Sequence, residues 1–188
     1  MAAQRAGPLW TIGQYLDMER HSTVKHAYHD GYVSAVAGGT QDHSQIAGNV
    51  YALLRAGVRS TGCRALNPDI KIRQSPDDDV YADAVVTCDP RDDAPRRDWI
   101  DYPTLVVEVL SPSTERYDQG DKFDDDKAIP TFREYVLVEY RRREVEVRRR
   151  DDSSGAWNAT TYGPGAAVPL TSVALTLPMD LIYEDSSV

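Results

Sequence analysis

Cysteine is scarce in this chain. Only Cys63 and Cys88 occur among 188 residues. No CxxC pair exists, so a structural zinc site is not encoded. Two thiols cannot build a disulfide framework, and a reducing cytosol is the simpler reading. Long apolar runs are also missing. None approaches the roughly 20 residues of a membrane span, and Met1–Trp10 lacks the basic-then-apolar order of a secretory signal. The expectation is a soluble, cytoplasmic protein without a membrane partner. Positive charge is in deficit, with 21 Lys and Arg against 30 Asp and Glu and a net charge of −9. That excludes nucleic-acid binding through bulk charge and leaves room for a local basic surface. There is no GxSxG elbow and no GxxxxGK loop, which argues against a serine hydrolase and a P-loop nucleotidase. No internal repeat or low-complexity tract is evident.

What is present suits one folded domain. Hydrophobic residues make up 41% and charged residues 27%, and a chain this long buries about 70% of its unfolded surface. Thr11-Ile12-Gly13-Gln14 reads as a capping box opening a helix to about Arg20. His26–His29, Asp30-Gly31 and Tyr32–Ala37 read as a hairpin, because Asp-Gly tolerates the positive φ its turn needs. A long helix is expected from about Asp42 to Arg59, with Ile46, Val50, Leu53, Leu54 and Val58 on one stripe.

Beyond Gly62 the pattern turns to strands: Cys63–Leu66, Ile70–Arg73, Val80–Cys88 and Thr104–Leu110. Ser75–Asp79 reads as a turn, Asp89–Asp101 and Ser111–Gln119 as loops, and Gly120–Ala128 as a short helix stopped by Pro130. Further strands are expected at Arg133–Glu139, Glu144–Arg148, from Trp157 onward, at Val173–Leu177 and at Leu181–Tyr183. The fold class is α/β (α+β), a mixed sheet flanked by helices with additional hairpins.

Two acids stand out. Glu108 lies inside Thr104–Leu110, a run without polar alternation that reads as a strand covered on both faces. Asp83 interrupts Val80–Val86 in the same way. An unpaired buried carboxylate costs several kcal/mol, so each needs a cationic partner or a metal. Two such acids on neighbouring strands would repel if both were ionised. A hard divalent cation resolves the conflict, takes carboxylate oxygens, and can turn a bound water into a nucleophile. The lysine found two residues after the glutamate in Asp…Glu-x-Lys sites is replaced by Leu110. Lys122, at the start of the next helix, can supply that charge instead.

These residues sit in recognisable surroundings. The stretches His26–Gly31, Ala37–Thr40 and His43–Asn49, then Tyr81–Val86, Leu105–Thr114, Tyr117–Phe123, Ile129-Pro130 and Arg133–Val138 resemble the bacterial endonuclease family often called Uma-two. The likeness runs from about residue 9 to 183. It implies a restriction-endonuclease-like fold and a PD-(D/E)xK-type site, with Asp83 and Glu108 as ligands of Mg2+ or Mn2+ and Lys122 as a migrated catalytic cation. It also implies DNA as substrate and a homodimer. Three positions depart from the family pattern: Ala82 replaces a proline, Tyr32 replaces an acid after the Asp-Gly turn, and Asp124-Asp125-Asp126 makes the Lys122 helix more acidic.

Other candidates have plainer readings. Asp69, in Pro68-Asp69-Ile70-Lys71, is expected in a turn, with a minor chance of lying near the site. His43 sits at a helix start, where anions are favoured, and is an accessory candidate against a capping or packing role. His21, His26 and His29 do not share a helical face and read as a solvated edge. Arg141–Arg143 and Arg148–Arg150 can contact phosphates, but the preferred reading is that they offset Glu139, Glu144 and Glu146 across an edge hairpin. The sequence therefore points to a Mg2+- or Mn2+-dependent DNA nuclease, with a non-catalytic nuclease-fold scaffold as the alternative.

Overall fold

A computed structural model describes residues 9–36 and 38–188. Met1–Pro8 and Ala37, and the sequence expectations that fall on them, lie outside the described residues. In chain order the elements are α1 (Ile12–Glu19), β1 (His26–His29), β2 (Tyr32–Ala35), α2 (Gln41–Gly57), β3 (Arg64–Leu66), β4 (Lys71–Ser75), β5 (Asp78–Tyr81), β6 (Ala84–Thr87), β7 (Trp99–Ile100), β8 (Pro103–Val109), α3 (Glu115–Gln119), α4 (Asp121–Asp126), β9 (Glu134–Val138), β10 (Val145–Arg150), β11 (Trp157–Tyr162), β12 (Ala167–Leu170), β13 (Leu175–Pro178) and α5 (Met179–Ile182).

The capping box at Thr11 and Gln14 forms and opens α1. The hairpin turns on Asp30 and Gly31, both at positive φ, and pairs His26 with Ala35. On α2, Ile46, Val50 and Leu54 are buried as the stripe requires. Gly57 is needed there, because a Cβ would come within 2.5 Å of Leu175.

The strands form two larger sheets rather than one. The first has the order β2-β1-β5-β4-β7 and the second β11-β10-β9-β8-β6-β3, while β12 and β13 pair separately. Strands β8 and β9 run parallel and β6 and β8 antiparallel. Leu105, Val107 and Val109 face a core shared with Ile46, Val50 and Leu54. Val106 and Leu110 face a second core with Ile72, Val80 and Ile100 of the first sheet. Strand β8 is thus covered on both faces, as its apolar run demands.

Four expectations need correction. Val80–Cys88 is not one strand: β5 belongs to the first sheet and β6 to the second, with Asp83 at the break. The Ser111–Gln119 loop contains α3, which has no apolar period to announce it. The Asp89–Asp101 loop contributes β7. Leu181–Tyr183 is not a strand, because Met179 and Ile182 are buried at helical spacing while Leu181 is exposed. The cysteines also differ from thiols in a reducing cytosol. The register that sets Arg64 against Thr87 continues to Cys63 and Cys88, which form a disulfide with Cα atoms 4.0 Å apart.

Candidate active site

The break between β5 and β6 creates the site. Chain pairing sets Ala84 against Val107, and one further step sets Asp83 across from Glu108. Residues opposite each other on an antiparallel pair share a face, with Cβ atoms about 5 Å apart. The sheet ladder stops there. In its place Asp83 Oδ2 accepts the Val109 N–H at 2.7 Å. The helix start of α2 adds His43, whose N–H donates to Thr40 Oγ1 at 3.2 Å. Its Nε2 lies 3.4 Å from Asp83 Oδ2. The bond to Asp83 raises the His43 pKa, against the cost of burial.

Lys122 enters from α4. Its Nζ lies 2.5 Å from Glu108 Oε1 and 4.0 Å from Asp118 Oδ1, and it donates to the Tyr81 carbonyl. Lys122, Glu108 and Asp118 are all buried. Burial pushes the Glu108 carboxyl well above its usual range, with Lys122 opposing the shift. Burial also works against the Lys122 ammonium, but the Glu108 and Asp118 charges outweigh it and hold its pKa above the ordinary lysine value. Asp118 is raised chiefly by burial.

Three buried acids elsewhere are closely partnered. Asp79 takes a two-pronged bond from Arg73, at 2.8 Å for each contact. Asp92 accepts from Thr87, Arg97 and the N–H groups of Asp101 and Tyr102. Glu134 accepts from Arg149, Thr171 and Ser172. At the site the pattern is different. Glu108 Oε1 has the Lys122 ion contact but no aligned hydrogen bond, and Asp126 Oδ2 has no hydrogen bond.

The sequence-derived trio Asp83, Glu108 and Lys122 is therefore brought together, with His43 beside Asp83. Asp69 is elsewhere in its bonding: it sits in an exposed turn, paired with Lys25 at 2.6 Å and bonded to Asn67. Within the acidic run, Asp124 faces solvent and pairs with Lys127, while Asp126 turns inward onto Gln74 at 2.8 Å. His26 and His29 pair with separate acids, Glu19 and Asp78. The arginine clusters bond Glu139, Glu144, Glu146 and Glu134. Sequence reading missed Asp118 as a site residue. Its four-residue offset from Lys122 was the available signal, hidden because the segment looked like a loop.

The mixed α/β fold, with its sheets flanked by helices, has a counterpart among solved structures. A crystal structure of a "putative nuclease belonging to DUF820" from Anabaena variabilis ATCC 29413 superposes with a TM-score of 0.74, covering 92% of this chain and 97% of that one at 17% identity. The chain belongs to the Uma2 family, described as "Putative restriction endonuclease", whose model matches residues 12–180. Among its relatives, the uncharacterized protein slr1290 of Synechocystis sp. is 36% identical over 90% of this chain and 89% of its own length. The uncharacterized protein sll1609 of the same organism is 25% identical, over 69% of this chain and 74% of its own length.

Proposed function

We propose that the chain is a Mg2+- or Mn2+-dependent nuclease that hydrolyses phosphodiester bonds in DNA. The observation that carries this reading is the meeting of Asp83 and Glu108 across β6 and β8, with the Lys122 ammonium against Glu108. The donor set fits a hard divalent cation. Glu108 and Asp118 share one lysine, Asp83 has His43 beside it, and Glu108 Oε1 carries no hydrogen bond. Among the described residues no group of three or more His, Cys, Asp or Glu is placed to hold a metal ion, so magnesium here would rest on one or two carboxylates, with waters and substrate phosphate completing its shell.

Asp83 and Glu108 would hold the ion. When bound, such an ion makes a water nucleophilic at neutral pH and offsets charge on a phosphate. The protein's own groups do the rest. Val109 N–H and His43 fix the Asp83 carboxylate. Lys122 keeps a fixed positive charge where negative charge grows on the phosphate, and it does so in a dry setting where that charge counts for more than in water. The family description, "Putative restriction endonuclease", supports a nucleic acid as substrate; a homodimer is part of the proposal, and sedimentation distinguishes one from two copies of the 21.0 kDa chain.

The second reading is a non-catalytic scaffold. It is favoured by the closed Lys122–Glu108 contact, which neutralises the glutamate without any metal. Incubation with supercoiled plasmid and single-stranded DNA, with and without Mn2+, separates the two. The nuclease reading expects metal-dependent cleavage that Asp83→Ala and Glu108→Gln abolish. Equal cleavage by parent and variants, or none at all, supports the scaffold.

A further inference from the structure

On the metal-binding reading, Lys122 and a divalent cation would both call on the Glu108 carboxylate. The ammonium sits 2.5 Å from Glu108 Oε1, and that oxygen has no hydrogen bond to fall back on. The Lys122 side chain is only 4% exposed, so an ammonium displaced from Glu108 has no route to water. Of its other anionic neighbours, Asp118 and Asp126, it is Asp118, four residues earlier across the Gly120 break between α3 and α4, that comes within ion-pair reach, with Oδ1 at 4.0 Å. That is too long for a hydrogen bond. Asp118 makes no other ion pair among the described residues, although it is 4% exposed. Asp79, Asp92 and Glu134, buried acids outside this cluster, each have a close cationic donor. Asp118 is a buried carboxylate whose Oδ1 lies 4.0 Å from the Lys122 ammonium, with the Thr114 side chain as a hydrogen-bond partner and His43 as a second favourable charge.

We propose that Asp118 is a positioning residue, the second seat for the Lys122 ammonium when a divalent cation takes Glu108. The inference rests on the metal-binding reading above. Without the ion, Lys122 holds Glu108 in place. With it, like-charge repulsion moves the ammonium toward Asp118, where it stays charged, buried and free of Glu108. Lys122 is thus also the internal competitor that sets metal affinity.

Calorimetric titration of the full chain with Mn2+ tests this in the parent, Lys122→Met, Asp118→Asn and the double variant. Lys122→Met is expected to bind Mn2+ about tenfold tighter or more, and Asp118→Asn about tenfold weaker, magnitudes ordinary for close charge pairs. In the Lys122→Met background, Asp118→Asn is expected to change nothing. Equal or weaker binding by Lys122→Met overturns the competition. An Asp118→Asn loss of the same size in both backgrounds overturns the positioning role. Should Lys122→Met not fold, the 15N resonance of the Lys122 ammonium during Mg2+ titration reads the same event. It is expected to move in the parent and to move differently in Asp118→Asn; a resonance that stays fixed in the parent overturns the proposal. Absence of Mn2+ binding in all four proteins sinks the metal-binding reading as well. Binding that is blind to both residues sinks this inference alone.

Discussion

Glu108 and Asp79 are both buried acids on strands, and the fold treats them differently. Asp79 is matched by an arginine with two aligned bonds. Glu108 has an ammonium contact and an oxygen without a hydrogen bond. Buried polar groups are nearly always satisfied, so the exceptions mark where the fold gives up stability. Asp126 is another. It is completely buried, and burial pushes its carboxyl up to about 6, opposed by Gln74 and Lys122. A carboxyl whose folded pKa exceeds its unfolded value stabilises most below the unfolded pKa of 3.8, and that contribution is lost as pH rises through about 6. At roughly 1.4 kcal/mol for each pKa unit, the loss amounts to about 3 kcal/mol. Asp126→Asn is therefore expected to stabilise the protein by up to about 3 kcal/mol at pH 8 and by little at pH 4. Urea unfolding at the two pH values measures this. An equal effect at both would mean that Asp126 does not titrate in the folded protein.

At the scale of elements, much was legible and the failures share a cause. The α2 stripe and the Asp-Gly hairpin follow from local periodicity and turn chemistry, and both form. The β5–β6 break was not legible, because an apolar run does not say which sheet each half joins. Asp83 itself was the sign of the break: a polar residue mid-run marked where the chain crosses between sheets. Asp83 and Glu108 could be paired from sequence only by assuming adjacent strands, and the Ala84–Val107 register supplies that adjacency. Asp118 stayed hidden because α3 has no buried stripe to reveal a helix.

The Cys63–Cys88 bond joins edge strand β3 to β6, the strand that follows Asp83. Closing a loop of that length is worth about 3 kcal/mol in the chain-entropy account. Reduction is expected to lower unfolding stability by about that amount. Urea unfolding with and without dithiothreitol checks it. An unchanged midpoint would mean that pairing in the second sheet holds β3 without the bond.

At the scale of the molecule, the net charge of −9 and the surface arginines tied to glutamates leave little bulk attraction for nucleic acid. Among the described residues no helix is long and apolar enough to cross a membrane. On the nuclease reading proposed above, an acidic domain needs a local source of positive charge to meet DNA, and a divalent ion with Lys122 at the junction of the two sheets would supply it. Diffraction from crystals grown with Mn2+, recorded at the manganese absorption edge, tests that assignment most directly. One anomalous peak is expected, bounded by the carboxylates of Asp83 and Glu108, with the Lys122 ammonium nearby. A peak elsewhere, or no peak at saturating Mn2+ with Lys122 still closed on Glu108, would contradict it.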